Sequence, residues 1–81
     1  MPDDDIIQAD REVDARGQNC PLPILYAKKA LGVLSSGQVL RVMATDPGAD
    51  RDFQAFARQT GNTLLRTDRD GAAWIFYLKR R

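Results

Sequence analysis

Histidine is absent from this 81-residue sequence, and cysteine occurs once, at Cys20. A lone cysteine excludes an intrachain disulfide, so stability must come from packing. Without histidine or a second thiol the usual zinc ligand sets are also excluded, and no metal or cofactor is expected. A Cys–His or Ser–His–Asp arrangement within the chain is likewise impossible. Large apolar side chains are scarce, because ten of the hydrophobic residues are alanines and aromatics are only three Phe, two Tyr and one Trp. Neither sign of charge dominates, with 12 Lys and Arg against 11 Asp and Glu, which disfavours direct nucleic-acid binding. No long apolar run exists, and Met1 to Asp5 is acidic where an export signal would be basic. Membrane insertion is therefore not expected, and a cytoplasmic location is. What remains is one small domain with either no chemistry or the chemistry of a single thiol.

Residues 1–10, with Asp3, Asp4, Asp5 and Asp10, read as a flexible acidic leader before a single domain over 11–81. Glu12 to Arg16 alternates polar and apolar residues, as a short strand does. Gly17-Gln18-Asn19 is a loop, and Cys20-Pro21-Leu22-Pro23 opens a helix, whose first turn tolerates proline because its N–H groups lack intrahelical partners. The helix is expected to reach about Leu34 and end at Gly37. Ile24, Ala27, Leu31 and Leu34 share its core face, with Ala30 at the edge. Leu22, Tyr26 and Val33 fall on the side carrying Lys29.

Gln38 to Thr45 reads as a buried strand, with Leu40, Val42 and Ala44 on one face and Arg41 and Met43 on the other. After the turn Asp46-Pro47-Gly48, a second helix spans about Ala49 to Thr60, with Phe53, Phe56 and Ala57 on its apolar edge. Thr63 to Thr67 and Ala72 to Lys79 form a hairpin around Asp68-Arg69-Asp70-Gly71. The βαβαββ order implies an α/β (α+β) two-layer sandwich. In it a four-stranded mixed sheet carries two helices on one face. The last strand is apolar on both sides, so an apolar patch is expected on the open sheet face. The leader, a partner or a dimer contact would cover it.

The thiolate is the reactive form of cysteine, and a free thiol has a pKa of about 8.5. Placed at a helix start, Cys20 meets unsatisfied N–H groups and a dipole that favour negative charge. With prolines at 21 and 23, the remaining donors nearby are Leu22 and Ile24, and Arg16 is a further candidate for lowering the pKa. A small structural cysteine is the alternative. Lacking a base and a resolving thiol, Cys20 cannot complete a redox cycle alone, but it can accept a group from one protein and surrender it to another.

The run Val13-Asp14-Ala15-Arg16-Gly17-Gln18-Asn19-Cys20-Pro21-Leu22-Pro23 resembles the signature of the TusA/SirA-like sulfur-carrier family, in which Cys-Pro-x-Pro follows an Asp-x-x-Gly segment. The resemblance continues through Gly37-Gln38-Val39-Leu40, Thr45-Asp46-Pro47, Arg51-Asp52-Phe53 and the final hairpin, covering about residues 12–79. It implies a cytoplasmic sulfurtransferase or sulfur-relay protein that acts only with partner enzymes and carries sulfur as a persulfide on Cys20. The frame around that residue would be Gly17, Pro21 and Pro23. The donor would be a cysteine desulfurase or a rhodanese-type enzyme. The acceptor would be a downstream protein in tRNA thiolation, molybdenum cofactor maturation or sulfur metabolism. A monomer or weak dimer is expected.

Asp46 and Arg51 match positions used by relatives for partner contact or local structure, and here they are also suited to capping the second helix. Leu22 replaces an acidic residue of the tRNA-thiolation carrier, and Thr45 replaces an aspartate. Leu22 and Tyr26, flanked by Lys28 and Lys29 and close to Arg16, form a candidate docking edge beside Cys20. The competing function is a non-catalytic interaction or regulatory module in which Cys20 is structural. Arg80 and Arg81 read as solvated terminal charge.

Overall fold

Alternation along Val39–Ala44 places Leu40, Val42 and Ala44 in the core and leaves Val39, Arg41 and Met43 half-buried on the other side. In the computed structural model, which describes residues 7–81, this strand is β2. The order is β1 (Arg11–Ala15), α1 (Leu22–Gly32), β2, α2 (Ala49–Thr60), β3 (Thr63–Asp70) and β4 (Ala73–Lys79). The sheet runs β1-β2-β4-β3, with β1 parallel to β2 and the other two pairings antiparallel. This is the mixed sheet expected from the βαβαββ order.

Val13, Val42 and Phe76 lie side by side across three strands, as do Leu40, Leu78 and Leu64. Ala27, Ala30 and Leu31 of α1 and Phe53, Phe56 and Ala57 of α2 close over this face in one cluster. Phe53 stacks on Phe76 at 4.4 Å and meets Phe56 edge-on at 6.2 Å. Each fully buried large side chain contributes roughly 1.5–3 kcal/mol, so in an alanine-rich core these rings dominate the stability.

Several boundaries differ from the sequence expectations. The first helix ends at Gly32, because the N–H groups of Val33 and Leu34 bond three residues back, to Ala30 and Leu31, and tighten the last turn. Gly37 (φ 89°) therefore does not end the helix. It sits in the turn closed by Gln38 N–H to Ser35 O, and its own N–H donates to Arg80 O at 2.8 Å. The hairpin is longer than expected: β3 runs to Asp70, and only Gly71 and Ala72 form the loop.

A bulge between Leu64 and Arg66 inserts Leu65 as the extra residue, so the inward alternation resumes at Thr67. Arg66 and Asp68 consequently fall opposite Tyr77 and Ile75 on the outer face. That face is less apolar than β4 alone suggests. Arg41 spans it, reaching Glu12 at 3.3 Å and the Tyr77 hydroxyl at 3.3 Å, while Arg66 pairs with Asp68 at 2.9 Å. The apolar residues Ile75 and Met43 thus sit among charged neighbours.

Residues 1–6 of the expected leader, including any cover they give this face, lie outside the described residues. Asp10 is tied to β2, its N–H donating to Val39 O and its carboxylate accepting from Val39 N–H, both at 2.8 Å.

Candidate functional site

Because β1 and β2 run parallel and each is followed by a helix, the two helix starts lie at the same end of the sheet. The only cysteine sits there, in the connection from β1 to α1. That connection opens with a turn closed by Gln18 N–H to Ala15 O at 3.2 Å, with Gly17 at φ 81°. This geometry favours glycine at the third turn position. Gly17 N–H donates to the Thr45 hydroxyl at 2.9 Å, anchoring the turn to the end of β2. Thr45 thus provides the oxygen acceptor that fixes this turn.

Asp14 and Arg16 form a fork, with Arg16 Nε and Nη2 each donating to the carboxylate at 2.8 Å and the Arg16 N–H at 3.1 Å. These bonds hold the Asp14 pKa down, from an ordinary 3.8 to about 2, and raise that of Arg16. Arg16 is therefore committed to Asp14, and it is not the cation that acts on Cys20.

Cys20 is exposed and precedes Pro21, the N-cap of α1, through a cis peptide bond. Leu22 N–H donates to Asn19 O at 2.9 Å, and Leu25 N–H to Pro21 O at 3.1 Å begins the helical ladder. The Leu22 donor expected to face the sulfur is consequently taken by Asn19. Pro23 is buried, while Leu22 points outward at 37% exposure.

The electrostatics of Cys20 also differ from the expectation of a depressed pKa. The neighbouring Asp52 carboxylate pushes the thiol pKa up. Partial desolvation and the charges of Asp52 and Asp46 act in the same direction, and Arg51 opposes them. The helix start supplies fewer free N–H groups than the sequence implied, whereas α2 brings carboxylates.

Asp46 shapes the entry to α2. Its carboxylate accepts from Gly48 N–H at 3.0 Å, and its carbonyl accepts from Ala49 N–H at 3.0 Å. The N-cap of α2 is Gly48 and no side chain caps it, so Asp46 orders the turn before the helix rather than capping the helix itself. Arg51 is exposed in the first turn of α2. Between the helices, a groove of about 260 Å³ is lined by Cys20, Pro21, Ile24, Asp52, Ala55, Phe56 and Gln59.

The proposed docking residues are split among different surfaces. Tyr26 and Lys29 line a groove against β1, together with Val33. Lys28 faces the opposite side, beside Arg80 and Arg81 near the helix C-termini. Leu22 lines neither groove.

Asp52 was not among the candidate site residues, although its triplet was part of the family resemblance. Its position follows from two features of the sequence. Phe53 must face the core, which sets the rotation of α2, and a βαβ crossover brings both helix starts to one end.

The family model described as "Sulfurtransferase TusA" matches residues 11–80. The chain belongs to the TusA family of sulfur carriers. It is 58% identical over 71 residues to the sulfur carrier protein TusA of Allochromatium vinosum, covering 88% of this chain and 93% of that one. A putative sulfur carrier protein of Bacillus subtilis is 39% identical over 74 residues, covering 91% and 99%. Among solved structures, a SirA-like protein from Desulfitobacterium hafniense superposes with a TM-score of 0.75 at 27% identity, covering 85% of this chain and 95% of that one. Among the described residues of this TusA-family chain, no helix is long and apolar enough to cross a membrane.

Proposed function

We propose that this TusA-family chain carries sulfane sulfur as a persulfide on Cys20, relaying it between a donor enzyme and an acceptor protein in the cytoplasm. The observation that carries this reading is the exposure of the only cysteine at the shared end of both helices, beside an open groove. The Cys20 thiolate attacks the outer sulfur of a donor persulfide. One S–S bond forms, the donor's S–S bond breaks, and the donor cysteine leaves as a thiolate that takes up a proton. No electrons are gained or lost overall, so no redox partner is required.

A cysteine desulfurase or a rhodanese-type enzyme supplies sulfur of this kind. The acceptor belongs to tRNA thiolation, molybdenum cofactor maturation or sulfur metabolism. Gly17, Pro21 and Pro23 hold the frame, and Leu22, Tyr26 and Lys29 meet the partner.

Incubation with a desulfurase and cysteine, or with a rhodanese and thiosulfate, is expected to add one sulfur atom to the intact mass. Cys20→Ser abolishes the gain. Absence of loading from both donors, each shown to be active, overturns the proposal.

A further inference from the structure

The groove beside Cys20 also holds a carboxylate from α2, Asp52, which bears on how the thiol is kept between transfers. Asp52 stands half-buried in the first turn of α2, with its N–H bonded to Gly48 O at 3.0 Å, and it shares the groove wall with Cys20. The charged groups that act on the thiol are Asp52 and Arg51 of α2 and Asp46 of the turn before it, and of these Asp52 lines the groove with Cys20. On the Cys20 side, Arg16 is held by Asp14.

We propose that Asp52, which lines the same groove as Cys20, is a positioning residue that keeps Cys20 of the unloaded carrier in the thiol form, so that thiolate emerges only where the carboxylate is neutralised or drawn away. The assignment rests on the persulfide reading for its purpose, but not for its test. A carboxylate beside a thiol disfavours the second negative charge, which is the direction found for Cys20. A carrier whose thiol is exposed gains from this arrangement, because oxidation and alkylation proceed through the thiolate. A partner presenting a cation to the Asp52 and Asp46 carboxylates would remove the restraint during docking.

The test is the pH profile of Cys20 alkylation by iodoacetamide, with no partner or sulfur donor present. Asp52→Asn is expected to move the profile to lower pH and raise the rate at neutral pH. For each unit by which the thiol pKa falls, the gain is about threefold, since about ten times more thiolate is partly offset by its weaker nucleophilicity. Asp52→Glu is expected to return the profile toward the wild type. Asp50→Asn makes the same charge change in the same helical turn, but Asp50 does not line the groove beside Cys20, so its profile is expected to match the wild type. Superimposable profiles for the wild type and Asp52→Asn, with native near-ultraviolet dichroism in both, overturn the proposal. An equal shift from Asp50→Asn does so too, because it would reduce the effect to net charge. Failure of sulfur loading would remove the carrier reading and leave this result standing.

Discussion

The backbone N–H of Gly17 donates a 2.9 Å hydrogen bond to the hydroxyl of Thr45, joining the turn before Cys20 to the end of β2. Twenty-eight positions separate the two residues in the chain. The contact ties the cysteine loop to the same strand end from which the α2 carboxylates depart.

Replacing either residue is expected to loosen that loop. Thr45→Val removes the acceptor and should cost about 1 kcal/mol. Thr45→Asp retains an oxygen acceptor and should cost less. Gly17→Ala meets no atom within 4 Å, so its cost is the positive φ alone, about 1–2 kcal/mol. Urea denaturation measures all three, and hydrogen exchange at the Gly17 amide should quicken in Thr45→Val.

Asp14 supplies a pH dependence whose sign follows from its lowered pKa of about 2. The unfolded chain protonates this carboxyl first, near its ordinary 3.8, so the Asp14–Arg16 fork favours the fold at higher pH. That contribution is lost as pH falls from about 4 through about 2. In Asp14→Asn the acid limb of the stability curve should be flatter over this window. A carboxyl titration by NMR should return toward the ordinary value in Arg16→Ala.

Phe53 joins α2 to the sheet through its stack on Phe76. Phe53→Ala leaves a cavity under both Phe56 and Phe76 and should cost about 3–5 kcal/mol. Small domains have roughly 5–15 kcal/mol in total, so the denaturation midpoint should fall steeply and the carboxylates of α2 should lose their placement. Phe56→Leu, at the edge of the same cluster, should cost less.

Leu22 and Tyr26 are 37% and 40% exposed on the helix that begins beside Cys20. If they meet the donor, Leu22→Glu should raise the KM for sulfur transfer about five- to tenfold, the effect of losing one partly buried leucine contact. Equal transfer kinetics in the variant would exclude Leu22 from the docking edge.

Element order, the parallel pairing of β1 with β2, the antiparallel pairing of β3 with β4 and the inward residues of β2 were legible in the sequence, whereas the place of β4 between β2 and β3 was not. They depend on local periodicity and on the handedness of the crossover, which act within short spans. The lone cysteine and its prolines were equally plain, as was the family signature around them. The end of α1 was not, because both possible ends keep Leu31 in the core and the choice lies in three-residue hydrogen bonds. The Leu65 bulge is not legible in the sequence for a related reason. An extra residue in a strand leaves composition unchanged and shows itself only through its partner strand.

From the sequence alone came the atom proposed to carry sulfur, because the chain holds a single thiol. The tertiary structure decided the electrostatic setting of that atom. Read along the chain, Cys20 has a helix start and an arginine for neighbours, both of which would stabilise thiolate. In the folded molecule Arg16 is bound to Asp14 and the Leu22 donor to Asn19, and α2 sets Asp52 against the sulfur. Charge acts through space, so the residues controlling Cys20 are those that parallel strands and helix packing carry to it.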